Sequence, residues 1–415
     1  MKTSLYTYLK HFTTVIVLLL ACHHATAQKD SLLTRVPPDT AGAKLNMDAI
    51  YNRPFLNVAK SPVAVGGYLE ANSFYSSEDG LSEGLSFQAR RLTMFMSSTI
   101  GKRVKFLTEI EFEEGGKEIA IEFAAMDLAI STFFNLRGGI IMNPIGAFNQ
   151  NHDGPKWEFV ERPDVAVNIL PATWSNAGFG IFGKTYTGNW IFGYELYATN
   201  GFDDSIIDNE ENRTFLPASK ENEERFEQSS NGEPLFTGKI AIKNRKIGEI
   251  GLSYMGGFYN TFNPDGIRID KKRRVDVFAV DINTTIKRTG TYLVGEVVLN
   301  MVDVPDTYSQ QYGNKQWGAF VDVVQPIVKG KIFNWEGATL NLAARLDYAD
   351  WNVGTFNETG TDIGDDLIAI TPAISFRPSR QTVIRLNYRY QWQTDIVNNP
   401  AAKTASWLFG FSTYF

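Results

Sequence analysis

From Val63 onward, apolar and polar positions alternate in short segments rich in Val, Ile, Phe, Tyr and Thr, the mark of strands facing two different environments. Sixteen such segments are delimited: 63–75, 85–100, 104–113, 118–131, 136–142, 177–186, 190–200, 237–245, 249–260, 273–287, 291–304, 316–328, 338–350, 366–377, 381–394 and 405–415. In 381–394, Ile384, Leu386, Tyr388, Tyr390 and Trp392 fall on one side, and Arg385, Asn387, Arg389 and Gln391 on the other. A single strand of this kind also occurs in soluble sheets. Sixteen in series, with no helical interruption, are far harder to bury in water.

The connections sort into two sets. The short ones are 101–103, 132–135, 187–189, 246–248, 288–290, 329–337 and 378–380; the mostly longer ones are 76–84, 114–117, 143–176, 201–236, 261–272, 305–315, 351–365 and 395–404. Tight turns at one end and long loops at the other predict an all-β fold: a transmembrane antiparallel up-and-down β-barrel of about 16 strands. The last segment alternates Trp407, Phe409, Phe411 and Thr413 down to Phe415, an aromatic ending of the kind barrel-insertion machinery reads, with closure of a soluble core as the plainer alternative. Trp190, Phe192, Tyr348, Trp351 and Trp392 are expected in aromatic girdles at headgroup depth.

Residues 1–27 read as a secretory signal: Lys2 and Lys10, an apolar run from Phe12 to Ala21, and Ala25-Thr26-Ala27 before Gln28. Leu19-Leu20-Ala21-Cys22 offers a rival reading as a lipobox that would leave Cys22 lipidated. Residues 28–62, with Pro37-Pro38, Gly42 and Pro54, form a polar lead segment expected in the periplasm, and 63–415 form the barrel. Cleavage after Ala27 removes the single Cys and three of the four His, keeping His152, and leaves 38 basic against 46 acidic residues, a net charge of −8 with His neutral. An acidic chain argues against nucleic acid as a partner. Without cysteine there is no thiol nucleophile, thiolate metal site or disulfide framework, and neither a cofactor nor a metal site is assigned.

The stretch Phe87-Gln88-Ala89-Arg90-Arg91-Leu92 leading to Val104-Lys105-Phe106, then Leu136-Arg137-Gly138-Gly139-Ile140, and Asn143-Pro144-Ile145-Gly146 running into 143–176 resemble the phosphate-selective porin O and P family of Gram-negative outer membranes, in its Bacteroidetes-type forms. The resemblance covers about Gly66 to Phe415. It implies a sixteen-stranded, typically trimeric pore in an outer membrane, with the third external loop folded into the lumen and phosphate or polyphosphate as solute. Segment 143–176 suits a constriction, with a solvated flap as the alternative: Pro144, Pro155, Pro163 and Pro171 stiffen it, and it carries Lys156, Glu158, Glu161, Arg162 and Asp164.

Selectivity should follow the charges that alternate into the lumen. Arg90, Lys105, Lys239, Lys243, Arg345, Arg377, Arg385 and Arg389 are placed there on the basic side; Glu109, Glu111, Glu118, Glu122, Glu195, Glu296 and Asp347 on the acidic side. Acids on strands three and four and arginines on strands thirteen to fifteen would set a transverse field across the pore; the alternative is charge that merely solvates a wet interior. Loop 201–236 carries ten acids against three bases, which opposes phosphate at the mouth, whereas Lys271-Lys272-Arg273-Arg274 could offset it or bind lipopolysaccharide phosphates. The acids of 203–211 and Asp362, Asp365 and Asp366 match no defined calcium loop and read as solvated loop charge.

The expected function is therefore an outer-membrane porin passing small hydrophilic solutes or anions, with no catalytic residue. Two alternatives remain. A barrel-embedded enzyme would need His152 as its base, with a nucleophile in reach, against the reading of a surface-loop histidine. A structural or adhesion barrel would need its lumen plugged, for which the lead segment is the candidate.

Overall fold

The computed structural model describes residues 44–54, 63–211, 213–229, 231–260, 272–305, 313–356 and 359–415, all within one compact unit, Ala41–Phe415. The signal 1–27, Cys22, and lead residues 28–43 and 55–62 lie outside the described residues.

Sixteen antiparallel strands close into one barrel, each paired with its sequence neighbours, and the first with the last. They are β1 (Val63–Glu78), β2 (Leu81–Ile100), β3 (Val104–Glu113), β4 (Glu118–Ala129), β5 (Asn135–Met142), β6 (Ser175–Thr187), β7 (Trp190–Thr199), β8 (Leu235–Asn244), β9 (Gly248–Phe258), β10 (Arg274–Ile286), β11 (Thr291–Val302), β12 (Lys315–Ile332), β13 (Trp335–Asp350), β14 (Asp366–Ser379), β15 (Thr382–Gln393) and β16 (Ala402–Tyr414). Closure removes every free strand edge, so each backbone polar group can be satisfied without water; this is the architecture of bacterial outer-membrane proteins.

Two connections differ from the sequence reading. The 76–84 loop is a two-residue turn, Asp79 and Gly80, both at positive φ, and 329–337 shrinks to Phe333 and Asn334 because β12 and β13 run on into it. The gain is extra ladder pairing, Glu78 to Leu81 and Ile332 to Trp335.

The outer wall is apolar. Leu252, Val321, Leu346, Ile374, Leu386 and Phe409 are exposed, while the residues that alternate with them, among them Ser253, Asp322, Arg345, Ser375, Arg385 and Ser412, are buried inside. At the wall's ends Trp190 stacks with Phe192 at 6.4 Å, Trp317 packs at a tilt on Tyr348 at 4.5 Å, and Tyr390 meets Trp392 edge to face at 4.6 Å, as an aromatic girdle requires. Trp351 departs from that expectation. It is 3% exposed and turned inward, donating its indole N–H to the Asn168 carbonyl, because β13 ends at Asp350 and the chain bends over the rim.

A β-bulge settles the phase of the double arginine. The β1/β2 register runs Glu70 to Arg91, then Ala71 to Ala89, so Arg90 is the extra residue. Arg90 and Arg91 both reach inward contacts, Arg90 with Glu161 and Arg91 with Glu111 and Glu113, which strict alternation forbids.

Candidate functional site in the lumen

Eight strands suffice for side chains alone to fill a barrel; sixteen leave a wide interior. Here residues 143–174 run through it. Main-chain groups of this one segment bond to wall side chains from β9 to β15, Gly146 N to Ser253 on β9, Ala147 N to Glu296 on β11, the Glu161 carbonyl to Arg345 on β13, the Pro155 carbonyl to Arg377 on β14, and Val160 N to Asn387 on β15, while its His152 side chain meets Glu109 on β3 across the lumen. Only a segment inside the barrel can touch opposite walls.

The interior divides into two sectors. On β9 to β12 many inward positions are apolar, Met255, Val275, Val277, Ala279, Val294, Val298 and Phe320, and they bury against Ile145, Phe148, Trp157, Val165, Ile169 and Trp174 of the segment, while the acids between them, Asp281, Glu296 and Asp322, are engaged by Lys239, by Ala147 N and by Arg345. That sector is dry. On β1 to β3 and β14 to β16 more of the inward positions are polar, and there a vestibule of about 810 Å³ opens at the long-loop end, lined by Phe74, Leu408, Arg90, Arg91, Glu113 and Arg389, with Glu161 of the segment projecting into it.

The charged residues singled out from sequence are mostly consumed in pairs. Arg345 grips Asp322 with two bonds of 2.6 and 2.7 Å; Arg377 meets Glu158 at 2.7 Å; Arg385 meets Glu70; Arg389 meets Asp164 at 2.6 Å and Asp347 at 3.6 Å. Lys239 meets Asp281 at 2.5 Å and Lys243 meets Glu249 at 3.4 Å. Among the acids, Glu109 is held by Arg53, Glu111 by Arg91, Glu195 by Gln150 and Arg137, and Glu296 accepts from Ala147 N and Phe148 N. Glu122, the bulged residue of β4, lies 3.9 Å from Lys220. Glu118 is exposed at the start of β4 and Lys105 is half-buried near the short-turn end. Arg162 lies over the Phe148 ring, and Lys156 is 3.0 Å from Asp153. Acid and base thus neutralise each other locally, which corrects the expectation of opposed charged arcs across the pore. The partners Asp281 and Asp322 were readable as inward positions on their strands; Arg53 and Asp153 carried no sequence signal.

In the acidic loop, Asp203 accepts from Ser205 N and from Asn222, and Glu233 pairs with Lys272, so part of its charge is offset within the fold.

Lead residues 44–54 also lie inside, toward the short-turn end. Leu45 and Met47 pack on Ile191 and Ala241; Ile50 joins Tyr68, Phe95, Leu107, Phe123 and Tyr414; Asn46 N donates to Glu249. The Arg53 guanidinium covers the Phe95 ring at 3.8 Å and bridges Asp153 at 2.6 Å and Glu109 at 2.7 Å. This layer forms a floor beneath the vestibule on the β1 to β3 side.

His152 belongs to that floor and is 1% exposed, not a surface-loop residue. Its Nδ1 faces the Asn149 carbonyl at 2.7 Å, which only accepts, so Nδ1 carries a proton and Nε2 is the nitrogen turned to Glu109, 3.2 Å away. Burial disfavours the imidazolium, but the Glu109 carboxylate outweighs it and raises the His152 pKa. Burial likewise pushes Asp153 up, and Arg53, Lys156 and His152 outweigh it, holding that carboxyl well below the usual range.

No family model matches the sequence. An uncharacterised protein of Aquifex aeolicus (strain VF5) is 32% identical over 209 residues, 48% of this chain and 46% of that protein, so the chain spans less than half the length of the curated relative it matches. Among solved structures, OmpF of Salmonella typhi in complex with daunomycin superposes with a TM-score of 0.52 at 12% identity, covering 85% of this chain and 97% of that one. The anion-selective porin of Comamonas acidovorans gives 0.51 at 12%, covering 85% and 99%, and in-vitro folded OmpT of Vibrio cholerae in its trimer form gives 0.51 at 11%, covering 86% and 100%. Likeness at such identity concerns the fold.

Proposed function

We propose that the protein is a porin of a Gram-negative outer membrane, admitting small hydrophilic solutes through the polar sector of its lumen. The observation that carries this is the asymmetric interior: a dry sector sealed by residues 143–174 and a polar sector with an open vestibule of about 810 Å³ between Arg90, Arg91, Arg389 and Glu161. No covalent chemistry is needed, and the ring nitrogens of His152 are engaged by the Asn149 carbonyl and Glu109. A homotrimer in lipopolysaccharide-bearing lipid, inserted through the aromatic β16, is the expected assembly.

The finer reading, a phosphate-selective porin O and P pore, draws support from the arginines Arg345, Arg377, Arg385 and Arg389 on neighbouring strands. Against it, each of these four already has a carboxylate partner, so weak ion preference is expected. Single-channel conductance of the refolded protein, with reversal potentials in a salt gradient and phosphate as competitor, tests both levels. Stepwise conductance supports the porin; block by low phosphate supports the family's selectivity.

A second reading, a barrel whose lumen is stoppered, is favoured by lead residues 44–54 lying inside the wall beneath the vestibule. Absence of conductance in the full chain together with its appearance after deletion of those residues is the result that favours it.

A further inference from the structure

One nitrogen of Arg53 occupies an unusual position. Its Nη2 is 2.7 Å from Glu109 Oε2, 2.6 Å from Asp153 Oδ1 and 3.4 Å from His152 Nε2. The three side chains come from β3 and from the lumen segment, all are fully buried, and their ligand atoms lie within 4.8 Å of one another. One imidazole nitrogen and two carboxylate oxygens converging on a point are a donor set for a borderline divalent cation such as Zn²⁺ or Co²⁺. Here the point is filled by a guanidinium nitrogen of the lead segment.

The surroundings are those of a metal site as well. His152 Nδ1 donates to the Asn149 carbonyl, which fixes the ring and leaves Nε2 as the coordinating atom. Asp153 Oδ2 is held by the Tyr414 hydroxyl at 2.6 Å and by Lys156 at 3.0 Å, leaving Oδ1 turned to the centre. None of these supports belongs to Arg53, so they persist when it leaves. To coordinate at roughly 2.0–2.2 Å the two carboxylates must draw in by about half an ångström and the His152 imidazole by about 1.3 Å, within reach of a loop that carries two of the three ligands.

The geometry points to a masked divalent-metal site formed by Glu109, His152 and Asp153, for which the lead segment's Arg53 is the built-in competing cation. Metal and lead segment are then mutually exclusive occupants: a metal ion in the lumen displaces Arg53 and loosens the floor under the vestibule, and an inserted lead segment excludes the metal. Three protein ligands leave the remaining coordination positions for water. The inference does not depend on conduction, because occupancy is read directly.

The test is titration of the detergent-solubilised barrel with Co²⁺ alone, followed by the visible d–d absorption that a bound ion shows. Arg53→Ala is expected to bind one equivalent, and Arg53→Ala combined with His152→Gln to lose that band. The wild-type chain, titrated alongside, should develop the same band only at concentrations at least about tenfold higher. A folded Arg53→Ala barrel without the band, a band that survives His152→Gln, or a wild type that binds as tightly as Arg53→Ala each overturns the proposal. Should Arg53→Ala not fold, the wild type decides: a saturable band abolished by His152→Gln supports the site, and no band up to saturating Co²⁺ overturns it.

Discussion

Arg90 meets both carboxylate oxygens of Glu161, at 2.8 and 3.1 Å, and so fastens the lumen segment to the β2 bulge at the vestibule wall. The pair is part-exposed, 22% and 39%, so its worth to stability is small, about 0.2–1 kcal/mol. Its effect on ions is larger. Removing the acid with Glu161→Gln leaves Arg90 unopposed beside Arg91 and Arg389, and the anion-to-cation permeability ratio should rise severalfold; reversal potentials in a salt gradient measure it.

Arg345 and Asp322 form the opposite case, both 2% exposed. Arg345→Met strands a buried carboxylate and should cost about 3–5 kcal/mol, whereas Arg345→Met with Asp322→Leu removes both charges and should recover much of that loss. Urea unfolding followed by intrinsic fluorescence distinguishes the two; equal destabilisation of single and double variants contradicts the pairing.

Ile50 is fully buried where the lead segment meets Tyr68, Phe95 and Phe123. Ile50→Ala should cost about 2–5 kcal/mol of that segment's hold on the floor, and Ile50→Asp should expel it. Conductance per channel should then exceed that of the wild type, and a protease should cut the lead residues faster. Unchanged conductance and cleavage would place the segment outside the solute path.

The apolar exterior can be probed at Leu386, exposed midway along β15. Leu386→Arg faces hydrocarbon and should destabilise the lipid-embedded barrel by about 2–4 kcal/mol, while Asn387→Ser, one residue on and facing inward, should spare lipid insertion and disturb only the bonds to Val160 N and the Glu158 carbonyl. Folding into vesicles of defined thickness, followed by altered gel mobility, reports the difference.

The wall was largely legible because its code is local. Alternation in 381–394 sorted Leu386 outward and Arg385 inward, and the run of tight turns located the strand ends. The misreadings occurred where alternation carries no information. Asp79-Gly80 reads as loop because turn residues look alike whether the loop has two positions or nine. Trp351 was assigned to a girdle on its residue type, yet it sits one residue past β13, where the strand phase has lapsed. The interior was the opposite. Anchors of the lumen segment lie 107 to 229 positions away on other strands, as with Gly146 and Ser253 or Glu158 and Asn387, and no short-range pattern encodes such pairs. One sign of the dry sector was present: in β11, Val294, Val298 and Val302 are apolar on the face that elsewhere is charged, which marks a strand covered on both sides.

The seam between β1 and β16 sets the order in which the structure can assemble. Ser412 and Leu69 meet across it although 343 positions separate them, whereas every other strand pairs with its immediate successor. Neighbouring hairpins can zip early and cheaply in chain entropy; the seam is the slow, non-local step. Residues 44–54 are joined to β1 by a short stretch and dock inside the wall toward the short-turn end, so they can enter before the last two edges meet or afterwards. A chain that sealed first and had yet to dock them would keep the wall intact while lacking the floor. Two folded populations, one with Tyr68, Phe95 and Tyr414 covered by Ile50 and one without, are the expected signature of rapid closure in vitro.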